Sequence, residues 1–163
     1  MTLLRNLMVF MCLLGIPALA QAQGTQVAFG AGQQDKTLPV EITAENLSVD
    51  QTSGTAEFSE NVLIVQGEMR LSAARVLVVY QTEDKGIARL EATGGVTLVS
   101  GPDAAEAERA DYNIDDGTIA LTGNVTLAQG NATFMSDRMT VRLDDGTAQM
   151  QGRVKTILQP SDK

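Results

Sequence analysis

The sequence predicts an all-β fold of elongated, repeat-built antiparallel sheets, and three observations predict it. Apolar residues alternate with polar ones at Leu47 and Val49, at Val76, Val78 and Tyr80, at Ala110, Tyr112 and Ile114, and at Met139, Val141 and Leu143. A period of two sends successive side chains to opposite faces, the pattern of an antiparallel sheet with one wet side. One unit then recurs four times, and glycines punctuate it at fixed places, where a tight turn needs positive φ.

The repeat aligns on the triplets Ala44-Glu45-Asn46, Ala73-Ala74-Arg75, Ala107-Glu108-Arg109 and Ser136-Asp137-Arg138. Sixteen residues after the last member come Val62, Val125 and Val154; in the second copy the offset to Val96 is 21, which marks a longer loop over Gln81 to Arg89. Gly54-Thr55, Gly117-Thr118 and Gly146-Thr147 hold equivalent places behind Thr52-Ser53, Asp115-Asp116 and Asp144-Asp145, as hairpin turns do. Gly67, Gly101 and Gly130 stand six residues before Ala73, Ala107 and Ser136. Each unit therefore reads strand, tight turn, strand, looser turn, with returning strands through Val62 and Ile64, Val96 and Leu98, and Val125 and Leu127. Short strands at this spacing suit a sandwich, a jelly roll or a stacked solenoid rather than βαβ units. Asp103 to Arg109 is the best helical candidate, and the repeat register makes it a turn leading into a strand.

Residues 1–20 read as a signal peptide: Arg5 forms the positive n-region, Leu7 to Ile16 the apolar stretch, and Ala18-Leu19-Ala20 the cleavage site, with Ala22 as the alternative. The apolar run is shorter than the ~20 residues a membrane-spanning helix needs. Residues 21–36, rich in Gly and Gln, are expected to be a flexible leader; residues 37–159 form the single domain, and 160–163 a short tail. A cleaved signal peptide implies secretion.

Composition excludes several chemistries. Cys12 lies inside the apolar run behind Met11, a poor context for lipidation, so the processed chain is expected to hold no cysteine and no disulfide. The sequence has no histidine, the usual general base and zinc ligand. Removing residues 1–20 leaves 11 basic against 20 acidic residues, a net charge of −9, which opposes nucleic-acid binding. Asp115-Asp116 and Asp144-Asp145 occupy repeated turn positions and do not match a calcium loop, so they read as turn residues. No catalytic residue, metal site or cofactor is expected. An enzymatic alternative, a carboxylate hydrolase, would need paired acids away from turns.

The repeated pattern A-E-x-L/M-x-V followed by G-T-A-x-F/L/M-x-G/E-N-V, seen over Ala44 to Val62, Ala107 to Val125 and Ser136 to Val154, resembles the OstA-like (LptA-type) domain of the lipopolysaccharide-transport family. The resemblance covers nearly all of the chain after the signal peptide. It implies a β-jelly roll open at both ends that holds lipid A acyl chains between two opposed sheets, and domains that join head to tail. It also implies bridging between LptC-like inner-membrane and LptD-like outer-membrane components. Within the family, the length favours the LptA type over members with a membrane anchor or a barrel.

The residues expected to face the acyl chains are Ile42, Leu47, Val49, Phe58, Val62, Ile64, Val76, Val78, Tyr112, Ile119, Leu121, Phe134, Met139 and Val141. Val40, Ile42, Val154 and Ile157 mark the edge strands expected to meet partners, with Pro39 limiting pairing on one side of the first. Arg75, Arg109 and Arg138 share one repeat position and are expected on the outer, solvated face. The competing structural reading is a self-assembling β-solenoid scaffold whose core is closed and takes up no lipid.

Overall fold

The computed structural model describes residues 24–30, 32, 34–82 and 86–160. The expected signal peptide, the centre of the long loop and the last three residues of the tail lie outside the described residues. Among the described residues there are eleven strands and no helix: β1 (Thr25–Ala28), β2 (Glu41–Thr43), β3 (Asn46–Asp50), β4 (Thr55–Gln66), β5 (Met69–Tyr80), β6 (Ile87–Ser100), β7 (Asp103–Asn113), β8 (Thr118–Gln129), β9 (Ala132–Arg142), β10 (Thr147–Gln151) and β11 (Lys155–Leu158). Neighbours run β2-β4-β5-β6-β7-β8-β9-β10-β1, with β3 beside β4 and β11 beside β9. This is the all-β, antiparallel fold that the alternation demands, and Asp103 to Arg109 is strand.

The long strands are bent, so that each serves two layers. β3 pairs with Thr55 to Ser59 of β4, whereas β2 pairs with Leu63 to Val65 of the same strand. At the far end, β10 and β11 divide β9 in the same way. One layer carries the turns at Gly54, Gly117 and Gly146; the other carries those at Gly67, Gly101 and Gly130. Their inner faces share a single apolar cluster.

The bend has a repeated backbone cause. Between Ser59 and Val62, β4 advances three residues while β5 advances two, and β6 and β8 do the same before Val96 and Val125. Such a bulge turns the strand sharply. The inserted residues have positive φ in pairs: Glu60 and Asn61, Gly94 and Gly95, Gly123 and Asn124, and, at the break between β10 and β11, Gly152 and Arg153. In three of the four repeated triplets the middle residue holds this corner. Asn61 donates to Glu45, Asn124 to Glu108 and Arg153 to Asp137, each pair sixteen residues apart. The Glu45 and Asp137 amides donate to the Glu60 and Gly152 carbonyls. Hydrogen bonding from Arg153 holds the Asp137 carboxyl below its usual range. Arg75, Arg109 and Arg138 stand beside these corners on the exposed side.

The expected flexible leader needs correcting. Thr25 to Ala28 is strand β1, paired antiparallel with β10, and Phe29 is buried in the core. The sequence signal was hidden because Gln26-Val27-Ala28-Phe29 is one short stretch that follows no repeat.

The second corner sets a testable constraint. A Cβ on Gly94, whose φ is +85°, would lie 2.7 Å from the Ala74 Cβ, whereas a Cβ on Gly54 would meet nothing within 4 Å. Gly94→Ala is expected to lower unfolding free energy by about 2 kcal/mol, and Gly54→Ala by about 1 kcal/mol or less, in urea titrations. Equal losses would show that the close approach at the corner does not matter.

The interior between the layers as candidate functional site

Strand register arranges the inner face in continuous rows. Next to the corner runs Val62, Ala73, Val96 and Ala107, alternating branched and small side chains where the layers converge. The first layer then presents Phe58, Val76, Ala92, Ala110, Leu121, Met139 and Met150 in one row, and Ala56, Val78, Leu90, Tyr112, Ile119, Val141 and Ala148 in the next. The second layer answers with Ile42, Ile64, Leu71, Leu98, Ala105, Leu127 and Phe134. Together these rows cross the six long strands β4 to β9, and they run on to β10 in the first layer and to β2 in the second.

Of the expected lining residues, Val62, Ile64, Val76, Val78, Tyr112, Ile119, Leu121, Met139 and Val141 are at most 1% exposed. Ile42, Phe58 and Phe134 are half-buried against the same cluster. The middle of the interior is therefore filled by side chains of the two layers. Leu47 and Val49 differ: they register with Phe58 and Ala56 but are 57% and 60% exposed. Their strand is the last of its layer at that end, so nothing packs beyond it. Leu158, in register with Ala132 on β11, is 69% exposed at the opposite end. Val40 is half-buried just before β2, Val154 precedes β11, and Ile157 lies on the outer side of β11. The expected lining also leaves out Phe29, Met69, Leu71, Leu90 and Leu143, all buried; of these the alternation marked only Leu143. Leu71 and Leu90 follow the period of two, and repeat alignment would have found them.

A polar row closes the second layer. Gln66, Ser100 and Asp103 are buried, although the alternation through Val62 and Ile64, or Val96 and Leu98, calls for an apolar residue there. Their partners are in the stretch before β2 and across the interior. Gly30 N–H donates to Asp103 at 2.7 Å and the Gln34 side chain to Ser100 at 2.7 Å. Gln66 donates to the carbonyls of Lys36 and Leu38, both at 2.9 Å, and accepts from the Tyr112 hydroxyl at 2.7 Å. Gln129 donates to the Ala28 carbonyl and to Asp103. The same stretch also grips the first layer: Phe29 N–H donates to the Gly146 carbonyl, Gln34 N–H to the Leu143 carbonyl, and the Lys36 ammonium pairs with Asp144 at 3.0 Å. No buried side-chain polar atom among the described residues lacks a partner.

This geometry is that of a two-layer shell rather than of a catalytic cleft. Among the described residues no group of three or more Asp, Glu, His or Cys side chains is placed to hold a metal ion. A family model described as LptA/(LptD N-terminal domain) LPS transport protein matches residues 41–152. The chain belongs to this family. The family is one of transport proteins, not of enzymes. An uncharacterized protein of Rhizobium meliloti (strain 1021) is 30% identical over 113 residues, which span 65% of this chain and 61% of the relative. The crystal structure of LptH, the LptA-homologous periplasmic component of the lipopolysaccharide transport device of Pseudomonas aeruginosa, superposes with a TM-score of 0.68. It is 15% identical and covers 78% of this chain and 99% of LptH, so the likeness is one of fold, the LptA-like β-jelly roll.

Tyr112 links the two layers and offers a direct test. Burial pushes its hydroxyl pKa up to about 12, against the opposing pull of the Gln66 hydrogen bond. A raised folded-state pKa means that the folded protein keeps a proton the unfolded chain has released. That stabilisation is complete below pH ~10 and is lost as pH rises from about 10 to about 12. Tyr112→Phe leaves the buried Gln66 carbonyl without its donor and is expected to cost about 1–3 kcal/mol at neutral pH. The gap between Tyr112→Phe and the unaltered chain should then narrow above pH 10; a constant gap would disprove the buried hydroxyl.

Proposed function

We propose that the chain is a periplasmic lipopolysaccharide carrier that shields lipid A acyl chains between its two layers. The observation that supports this reading most is the run of apolar rows across the six long strands β4 to β9, flanked by exposed inner-face residues, Leu47 and Val49 of β3 at one end and Leu158 of β11 at the other. Each acyl methylene kept from water contributes ~0.8 kcal/mol, so a lipid with long tails does not cross an aqueous gap unaided. Exchange of side-chain contacts for acyl contacts is nearly neutral, because both are apolar. The cost lies in parting the layers, and passage from one such interior to the next is close to isoenergetic.

Bridging between LptC-like inner-membrane and LptD-like outer-membrane components belongs to the same proposal. Strand addition at the ends joins copies head to tail through main-chain hydrogen bonds and keeps the interior continuous. β2 and β3 present one pair of edges, β11 and β1 the other. Direction and energy come from elsewhere.

The filled middle of the interior favours a second reading, a structural scaffold that takes up no lipid. Photo-crosslinkers separate the two. At Val62, Tyr112 or Met139 they are expected to capture lipopolysaccharide, and at the outward Ser48 or Asp111 to capture little. Capture confined to the outward sites, or none, would favour the scaffold.

Joining at the ends is checked separately. Leu47→Glu and Leu158→Glu place a charge on exposed inner-face positions. They should shift the unfolding free energy by no more than ~0.5 kcal/mol yet weaken self-association in analytical ultracentrifugation. Unchanged association with both substitutions would argue against end-to-end contact.

A further inference from the structure

We infer that the stretch bearing Phe29, Gly30, Gln34 and Lys36 is a strap over the long open side of the shell, and that its release opens a lateral entry for acyl chains. The inference rests on the lipid-carrier reading above.

The corners join the two layers along one long side only. On the other side both layers end in turns, and there the strap alternates between them. It bonds Gly146 and Leu143 of the first layer, and Asp103 and Ser100 of the second. Lys36 reaches Asp144 in the first layer, while its carbonyl accepts from Gln66 in the second. Phe29 is 1% exposed and belongs to the shared apolar cluster.

The repeat shows that the fold is built to receive this stretch. Gln66, Ser100 and Gln129 each stand immediately before a loop glycine, Gly67, Gly101 and Gly130, at an inward position. An amide or hydroxyl recurs where packing alone would place an apolar side chain, and each one bonds the N-terminal stretch. A plain hydrophobic closure would need none of them, since buried polar groups are costly unless paired. Hydrogen bonds between strap and polar row are also the kind that water can replace. Uncovering the row then costs mainly the burial of Phe29, and the layers can part on that side while the corners hold on the other.

The test locks the strap. A Cβ on Gly30 would lie 3.1 Å from the Ser100 Cβ, a few tenths of an ångström below disulfide range, so the strap must back away by that much to close the bond. Gly30→Cys with Ser100→Cys, in a Cys12→Ser background, can be closed by oxidation and opened by dithiothreitol. The readout is the rate of lipopolysaccharide capture by a photo-crosslinker at Met139. The oxidised form is expected to capture at least about tenfold more slowly than the reduced form. Phe29→Ala with Gln34→Ala removes the grip without a crosslink. It should speed both capture and amide hydrogen exchange at Gly30, with exchange in the centre of β6 unchanged. Equal capture by oxidised and reduced forms, in a protein that does capture lipid, overturns the strap alone. No capture by the unaltered chain overturns the carrier reading and the strap with it.

Discussion

Everything in this molecule depends on a backbone constraint: two consecutive residues in left-handed conformation at the middle of alternate strands. Without them the strands would form one broad twisted sheet, and their apolar faces would have nothing opposite. With them, one sheet becomes two layers whose inner faces meet. For Glu60, Asn61, Asn124 and Arg153 this conformation carries a cost of order 1–3 kcal/mol each. The hydrogen bonds from Asn61, Asn124 and Arg153 to the acidic residue sixteen positions earlier offset it, and the second copy avoids it with Gly94-Gly95. Glu45, Glu108 and Asp137 thus have a structural part in holding the corner.

The corner also decides how the interior can change. Val62, Ala73, Val96 and Ala107 are packed where the layers converge, and small side chains there let the backbones approach. The rows farther out carry the larger Leu, Ile, Met and Tyr residues, buried in the one cluster the layers share. Rotation about the corner separates the outer rows most and the inner row least. A wedge-shaped opening therefore costs few corner contacts, while the packing of Tyr112, Ile119 and Leu127 gives way first. The polar row of Gln66, Ser100 and Asp103 lies farthest from the corner, where any such movement is largest.

Much of this was legible in the residues. The period of two marked nine of fourteen lining candidates that are fully buried, because alternation and burial coincide wherever a strand has a layer facing it. Leu47 and Val49 share the face of Phe58 and Ala56 yet are exposed, since periodicity reports which face a side chain takes and not whether anything covers that face. The four triplets were found as a register mark, but their meaning as corners was not, because a bulge involves two strands and only pairing reveals it. β1 and the strap went unread for a different reason: Gln and Gly are what a solvated leader contains, and here they serve as donors and tight backbone. The overlooked signal was on the receiving side, in the polar residue before Gly67, Gly101 and Gly130.

That signal ties the long side of the shell to one of its ends. β1 lies on β10 at the end where β11 is the other edge, and the strap follows directly from β1. The first-layer edge available to a neighbouring strand at that end is consequently β1, a four-residue strand held by its pairing to β10, the Gln129 amide on the Ala28 carbonyl and the burial of Phe29. Short terminal strands are the parts of a sheet that open at lowest free energy. A strand added beside β1 would lengthen its pairing and so restrain the strap, whereas one that replaced β1 on β10 would free it. The end of the shell and its open side therefore draw on one part of the chain: Thr25–Ala28 form the edge at the end, and Phe29, Gly30, Gln34 and Lys36 make the contacts across the open side.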